Sequence, residues 1–210
     1  MADLAALTAA IEAGDRATAV AVTRDAVEEG LDPRTVLAAM TAAMEVIGAK
    51  FQCQEIYVPE MLISARAMKE ATAVLEPVLV QAGIRPEHTA VLGTIKGDLH
   101  DIGKNLVGMM WKGANIEVID LGTNVTPERF VEAAREHDAR LVGISALLTT
   151  TMVGMKDVVA AIRAADLGDV KVIVGGAPVT QDFADMIGAD GYAPDAASAV
   201  EAARQALRAG

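Results

Sequence analysis

The residues best suited to chemistry lie in a short polar loop, where Asp98 and His100 are separated by one residue. At this spacing the carboxylate can accept a hydrogen bond from one ring nitrogen, which fixes the tautomer and leaves the other nitrogen free as a metal ligand or a base. Gly103 follows, and a residue without a side chain permits tight curvature and close approach by a bulky group. An Asp-x-His pair also arises by chance in many loops, so it does not establish a site alone.

Two further loops carry residues that complement this pair. Ser145 and Leu147 supply a hydroxyl and an apolar wall, and Thr149 begins a run of three threonines. Gly175 and Gly176 remove side chains from the third loop, which makes room for a long or thick ligand. The three loops together predict a pocket for a large ligand that enters between strand ends.

The elements that must position these loops follow from the hydrophobic pattern of residues 89–210. Strands are predicted at 89–95, 116–119, 140–145, 170–174 and near 191, and helices at 104–113, 127–137, 152–165, 181–187 and 195–208. This alternation predicts a mostly parallel five-stranded sheet covered by helices on both faces. In the order 2-1-3-4-5, the first and third strands are neighbours at the switch point, so the three loops meet at one crevice.

The first 81 residues show a helical period instead. Asp32 before Pro33 has the pattern of an N-cap followed by the first helical residue, the pattern lapses over residues 52–57, and Pro59 falls in the first turn of a fourth helix. We therefore predict a four-helix bundle over residues 1–86, in which Met40, Met44, Met61 and Met68 belong to the core, and a second domain over 87–210. Residues 81–88 form the linker, in which His88 is expected to be exposed.

Composition and charge restrict the class of protein. The chain is 52% hydrophobic but 3% aromatic, and its formal net charge of −11 disfavours sequence-independent nucleic-acid binding, which needs a cationic face. No apolar run reaches the roughly 20 residues of a membrane span, and the N-terminus lacks the basic region of a signal peptide. We expect a cytoplasmic protein with no membrane association. The single Cys53 excludes an internal disulfide and is expected to be a small apolar helix residue.

Known ligand-binding motifs narrow the choice further. Neither the G-x-G-x-x-G of dinucleotide-binding sites nor a Walker A sequence is present. Instead, D-L-H-D-I-G at 98–103, S-A-L at 145–147 and G-G at 175–176 together resemble the D-x-H-x-x-G, S-x-L and G-G signature of cobalamin-binding domains. Residues 47–51, 57–61 and 64–68 resemble the helical cap that precedes this domain in methionine synthase. The chain is similar also to the small corrinoid proteins of methanol and methylamine methyltransferase systems, and the resemblance spans nearly all of it.

The resemblance implies a helical bundle cap followed by a Rossmann-like, or flavodoxin-like, sheet. It implies that His100 is the lower axial ligand of cobalt in a base-off cobalamin, with Asp98 as its hydrogen-bond partner and Ser145 next in the relay. The implied cofactor-binding residues are Asp98, Leu99, His100, Asp101, Ile102, Gly103, Ser145, Leu147, Thr149, Gly175, Gly176, Phe51 and Val58. The glycines and Leu147 would line the channel for the nucleotide tail, and Phe51 and Val58 would cover the methyl group, although Val58 is smaller than the leucine typical there. Asp101 fits a helix N-cap equally well.

The function that the resemblance implies is a corrinoid protein that carries a methyl group on cobalt, as Co(I) and methyl-Co(III). Its partners would be a substrate-specific methyltransferase, a second methyltransferase and a reductive activation protein, and alone it would be no complete enzyme. Two alternatives stay open. A cobalamin-dependent regulatory sensor usually carries a DNA-binding helix-turn-helix ahead of the cap, and the cobalamin subunit of a carbon-skeleton mutase resembles the second domain only.

Overall fold

Aspartates begin the first three helices of the chain, in a computed structural model that describes residues 2–208. The side chains of Asp3, Asp15 and Asp32 accept hydrogen bonds from backbone N–H groups of the first turns, which have no partner inside a helix. The predicted limits at residues 1 and 210 lie outside the described residues. The four helices are α1 (Leu4–Glu12), α2 (Arg16–Glu28), α3 (Pro33–Gln52) and α4 (Val58–Gln81).

The apolar faces of these helices form one core. α1 packs against α2 and α3, and α4 packs against α2 and α3. Met40, Met44, Met61 and Met68 are all buried, which confirms that these methionines are core residues rather than a binding surface. A polar contact also joins α4 to α1, because the hydroxyl of Ser64 donates to the carbonyl of Glu12 at 3.0 Å.

A five-residue break separates α3 from α4, where the sequence pattern lapses. Phe51 and Val58 flank this break and are half-buried, while Tyr57 between them is exposed. Cys53 ends α3 as its C-cap and is exposed, so the prediction of a small apolar residue packed within a helix is wrong. The chain turns at this point because Gln54 adopts a positive φ of 59°, which interrupts the helical backbone.

The chain divides into two compact units between Pro86 and Glu87, with the turn Gly113–Asn115 grouped with the helical unit. The second unit contains the strands β1 (His88–Thr94), β2 (Ile116–Asp120), β3 (Leu141–Ser145), β4 (Lys171–Gly175) and β5 (Gly191–Ala193). Its helices are α5 (Ile102–Gly113), α6 (Pro127–Glu136), α7 (Thr149–Met152), α8 (Met155–Ala164), α9 (Gln181–Ile187) and α10 (Ala196–Arg208).

The five strands form one parallel sheet in the order β2-β1-β3-β4-β5. The α/β class and the parallel sheet are therefore as predicted, and the strand order is the one under which the three loops are expected to meet. Two local expectations fail. The chain does not form one helix over residues 152–165. It forms α7, which ends at Met152, and α8, which begins at Met155, with Val153 and Gly154 between them. His88 is the half-buried first residue of β1, with a buried Nδ1, rather than an exposed linker residue.

Helices cover both faces of the sheet. On one face, Phe130 of α6 and Met155 of α8 pack with Val91 and Val142 in a continuous apolar core. On the other face, the indole of Trp111 lies over Gly143, where an added Cβ would stand 2.6 Å from the ring. Close ring-to-strand packing of this kind requires glycine at that position. No helix within residues 2–208 is long and apolar enough to cross a membrane.

Candidate functional site

Three loops meet at the carboxyl edge of the sheet, as the strand register requires. Thr94 at the end of β1 is paired with Ser145 at the end of β3, and Ser145 is paired with Gly175 at the end of β4. The chain continues from each of these residues on the same side of the sheet, which is where open α/β folds place ligands. The structure therefore brings together the Asp98, Leu147 and Gly176 loops that the sequence predicts to converge.

The carboxylate of Asp98 is the fully buried centre of this edge. Its Oδ1 accepts from the backbone N–H of His100 at 3.0 Å and lies 2.7 Å from Nδ1 of the same residue. Its Oδ2 accepts from the backbone N–H groups of Leu147 at 2.8 Å and Leu148 at 3.3 Å, and from the hydroxyl of Thr151 at 2.8 Å. One side chain thus joins the loop after β1 to the loop after β3.

These contacts decide the charge of Asp98. Burial alone would raise its pKa, because the charged form is disfavoured away from water. The donors from Leu147, His100 and Thr151 outweigh burial and hold the pKa of Asp98 well below its ordinary value of 3.8. The carboxylate is therefore ionised at neutral pH and can only accept hydrogen bonds.

An ionised Asp98 fixes the tautomer of His100. Since Oδ1 can only accept, Nδ1 of His100 must carry the proton and donate, which leaves the lone pair on Nε2. The His100 side chain is 53% exposed, and no group of residues 2–208 forms a hydrogen bond with Nε2. A neutral imidazole held through one nitrogen, with the other nitrogen facing outward, is the arrangement of a metal-ligating histidine.

The hydroxyl that binds Asp98 belongs to Thr151 and not to Ser145, the residue that the resemblance implies. Ser145 is half-buried, but in the described part of the chain its hydroxyl forms no hydrogen bond with Asp98. Thr151, in the short helix α7, donates its hydroxyl proton to Asp98 instead, and the carbonyl oxygen of Leu148 lies 3.0 Å from the same hydroxyl oxygen. The sequence places the threonine run of residues 149–151 beside the site but does not indicate which hydroxyl binds Asp98. One general rule points to Thr151. The first turn of a helix attracts anions, and Thr151 lies in the first turn of α7, which faces the carboxylate of Asp98.

The two glycines at the end of β4, Gly175 and Gly176, pack so closely against neighbouring backbone that no other residue fits at either position. A Cβ on Gly175 would stand 2.8 Å from the carbonyl oxygen of Ala193, and a Cβ on Gly176 would overlap the carbonyl oxygen of Ala146. Gly176 also has φ of +122°, which L side chains rarely adopt. The backbone of the third loop thus lies directly against the second loop and presents no side chain there.

The rim of the site is apolar and open. Leu99, Ile102 and Leu147 are large apolar side chains that are exposed, although such residues usually lie inside. Gly103 is exposed, and an added Cβ would meet no atom within 4 Å. Thr149 is exposed at the start of α7. These positions form a surface that a broad apolar ligand can cover.

The remaining predicted residues are placed as follows. Asp101 is half-buried immediately before α5, where its carboxylate accepts from the side chain of Asn105 at 3.0 Å. Phe51 and Val58 belong to the helical unit and flank the break between α3 and α4. Their contact with a cofactor stays a prediction.

The donor set fits a metal that brings most of its own ligands. Within residues 2–208, no group of three or more His, Cys, Asp or Glu side chains could hold a bare metal ion. His100 instead offers one nitrogen beside the exposed apolar side chains Leu99, Ile102 and Leu147. One axial ligand and a broad apolar platform are what a corrin ring requires of a protein, since the macrocycle supplies the equatorial nitrogens itself.

Replacing Asp98 with Asn should destabilise the fold in a pH-dependent manner. Both carboxylate oxygens of Asp98 accept from N–H or O–H donors, so the NH2 group of the introduced asparagine would face a donor whichever way the amide is turned. We expect this mismatch to lower the free energy of unfolding by about 2–4 kcal/mol at pH 7. Because the folded pKa of Asp98 is depressed, its contribution is present above the ordinary value of 3.8 and is lost as the pH falls from there through the folded pKa. Denaturant unfolding of both proteins between pH 7 and pH 3 measures this.

The matched control is Asp101→Asn, which changes a carboxylate that accepts from one side chain in the same loop. We expect it to cost about 1 kcal/mol or less. A difference between wild type and Asp98→Asn that stays constant down to pH 3 would contradict the assigned ionisation.

Two family models match most of the chain. A B12 binding domain model matches residues 88–201, and a second B12 binding domain model matches residues 4–76. A corrinoid protein of Desulfitobacterium hafniense is 42% identical over 206 residues, which cover 96% of this chain and 95% of that protein. Dimethylamine corrinoid protein 3 of Methanosarcina acetivorans is 39% identical over 198 residues, covering 94% and 89%.

A solved structure agrees with these relatives. In the crystal structure of the methanol:cobalamin methyltransferase complex MtaBC from Methanosarcina barkeri, one chain is 29% identical with a TM-score of 0.86, and the match covers 99% of this chain and 80% of that one. Both the helical unit and the α/β unit are thus represented among relatives. The chain belongs to the corrinoid proteins, a family with B12 binding domains.

Proposed function

We propose that this protein carries a methyl group between two methyltransferases, on a cobalamin whose lower axial ligand is His100. The observation that supports this most directly is the His100 imidazole, which Asp98 holds through Nδ1 while Nε2 faces outward. The relatives are corrinoid proteins named for dimethylamine and a methanol:cobalamin methyltransferase complex, which favours a carrier over a regulatory sensor or a mutase subunit. The identity of the methyl donor is left open.

The cobalt of the bound cofactor supplies the atom that accepts and releases the methyl group. The chain would supply four things. His100 would present Nε2 as the ligand in place of the cofactor's own base, and Asp98 would fix the orientation of the ring. Gly175 and Gly176, which present no side chain, would line the channel for the nucleotide tail, as the resemblance implies. The exposed apolar side chains Leu99, Ile102 and Leu147, with Gly103 and Thr149, would lie against the ring.

The ionised carboxylate of Asp98 lies 2.7 Å from Nδ1 of His100 and would hold the ring in place whether or not Nε2 is bound to cobalt. Thr151 and the backbone N–H of Leu147 keep Asp98 in place throughout, because they bind Oδ2 rather than Oδ1.

Phe51 and Val58 are proposed to cover the upper ligand and exclude water. For these two residues the proposal depends on the resemblance of residues 47–51 and 57–61 to the helical cap, together with their half-buried state beside the break between α3 and α4. The remaining partners, a second methyltransferase and a reductive activation protein, follow from the proposed chemistry. A carrier must be unloaded, and Co(I) that becomes oxidised must be reduced again.

Reconstitution with hydroxocobalamin tests the function. The purified chain is loaded, reduced chemically to Co(I) and mixed with methanol- or methylamine-specific methyltransferases, each with its methylated donor. We expect methylation that depends on both the methyltransferase and one donor, followed through the change in visible absorption. Absence of cobalamin binding would overturn the proposal, and so would retardation of promoter DNA by a loaded protein that no methyltransferase methylates.

A further inference from the structure

Lys104 is a buried cation that the site described above does not use. Its side chain is 1% exposed, and lysine is almost never buried unless it is paired. The ammonium has three N–H donors, and all three have acceptors: the two carboxylate oxygens of Asp120, each at 2.5 Å, and Oδ1 of Asn105 at 2.7 Å. The lysine is thus fully satisfied, although it lies in the first turn of an otherwise amphipathic helix.

The ion pair of Lys104 joins two elements of the α/β unit. Lys104 is in α5, whereas Asp120 is the last residue of β2 and is 44% exposed. Asp120 also accepts from the backbone N–H of Gly122 at 2.9 Å, which begins the loop after β2. A buried ion pair contributes little net stability compared with apolar residues of similar size, because both charges must lose water. The geometry of the Lys104–Asp120 ion pair is nevertheless specific, which suits a role in fixing the position of α5 relative to the end of β2.

The contacts of Lys104 continue to the loop that holds His100. Asn105 accepts from Lys104 through Oδ1 and donates through Nδ2 to the carboxylate of Asp101 at 3.0 Å, so both ends of its amide are used. The backbone N–H of Asn105 also donates to the carbonyl of Asp101 at 2.8 Å. Asp101 is the neighbour of His100 in the chain, so an unbroken series of hydrogen bonds joins the end of β2 to the residue after His100.

Independent contacts attach the same loop to the same region of the sheet. The buried hydroxyl of Thr94 donates to the carbonyl of His100 at 3.0 Å, and the backbone N–H of Thr94 donates to the carbonyl of Gly122 at 2.9 Å. Asn124 donates its backbone N–H to the carbonyl of Asp98 at 3.0 Å. Asp98 orients the ring of His100, whereas these contacts hold the backbone that carries it.

We propose that Lys104 is a positioning residue for the axial ligand: through Asp120 and through Asn105 to Asp101, it fixes the backbone of His100 in the orientation that ligation needs. This inference rests on the proposed axial ligation by His100 and adds a residue outside the three motifs that identify the family. Lys104 touches no cofactor in this role. It acts because outer contacts that hold a metal ligand raise the affinity of the site for its metal.

The first test uses the protein without cofactor. Lys104→Met keeps the apolar stem and removes the ammonium, and Asn105→Ala leaves the ion pair intact but cuts its connection to Asp101. Lys112→Met, at the exposed far end of the same helix, is the matched control. We expect hydrogen–deuterium exchange at the amides of His100 and Asn105 to rise roughly 10-fold in the first two variants, with the amides of β3 unchanged. If both variants match Lys112→Met, the proposal is overturned.

The second test uses the protein loaded with cobalamin and reduced to Co(II). The nitrogen splitting in its paramagnetic spectrum reports the fraction of cobalt ligated by histidine, and we expect Lys104→Met and Asn105→Ala to lower the apparent affinity of His100 for cobalt by about 10- to 100-fold. Faster exchange with an unchanged nitrogen signal would overturn the positioning role. If His100→Ala itself leaves the nitrogen signal intact, the axial assignment fails instead, and the exchange data still report what Lys104 does to the loop.

Discussion

His100→Ala should abolish the nitrogen splitting in the Co(II) spectrum of the loaded protein and weaken cobalamin binding beyond the roughly 10- to 100-fold that loss of an outer partner costs a metal site. The reason is that Nε2 of His100, which forms no hydrogen bond with any group of residues 2–208, is the proposed ligand, and the exposed side chains of Leu99, Ile102 and Leu147 beside it are apolar. The fold should survive, because the side chain is 53% exposed and its loss removes a single contact with Asp98, worth about 1 kcal/mol.

His137→Ala is the control for this experiment. His137 caps the C-terminus of α6 and is removed from the three loops of the site, so its substitution should leave both the spectrum and the affinity unchanged. Equilibrium titration with hydroxocobalamin and electron paramagnetic resonance supply the two measurements. Retention of the splitting in His100→Ala would mean that another nitrogen, such as the cofactor's own base, ligates cobalt.

Gly176→Ala should have the largest effect on stability. The added Cβ would overlap the carbonyl oxygen of Ala146, and φ of +122° would be strained for any L residue. The overlap involves backbone on both sides, so no side chain can move away to relieve it. We expect the free energy of unfolding to fall by about 3 kcal/mol or more, a large share of the roughly 5–15 kcal/mol that stabilises a typical domain. Denaturant unfolding of the cofactor-free protein measures this.

Gly168→Ala separates the two causes. Gly168 has φ of +73° but no atom within 4 Å of an added Cβ, so it reports backbone strain alone, about 1–2 kcal/mol. A Gly176→Ala protein no less stable than Gly168→Ala would show that the two loops separate easily. In that case the tight approach of the Gly176 backbone to Ala146 would not be a fixed feature of the site.

The strands themselves, and the edge of the sheet at which their loops leave, follow from the sequence because they depend on short-range patterns, whereas the order β2-β1-β3-β4-β5 is set by packing between distant residues. Three apolar runs define β1, β3 and β4, which end at Thr94, Ser145 and Gly175. The loops that follow parallel strands all leave the sheet at the same edge. The caps at Asp3, Asp15 and Asp32 are local as well. Asp98 and His100 are two residues apart, so their contact was predictable from spacing.

The partners of those residues were decided by tertiary structure. Thr151 is 53 positions from Asp98 in the chain, and only the packing of α7 against the first loop brings its hydroxyl, rather than that of Ser145, to the carboxylate. Lys104 shows the same limit, because its polar sequence neighbours give no indication that it is buried or that Asp120 lies opposite. The polar neighbours of His88 predict a linker at this position, yet His88 is the first residue of β1.

The sequence by itself determined the chemical groups, their loops and the edge at which they meet, because local periodicity and the rules of parallel sheets suffice for that. Only the tertiary structure decided which hydroxyl completes the contacts of Asp98, which nitrogen of His100 is left outward and which cation holds the loop in place. Hydrogen bonds between distant residues depend on distances of a few tenths of an ångström and on angles, and these arise only after helices and strands have packed.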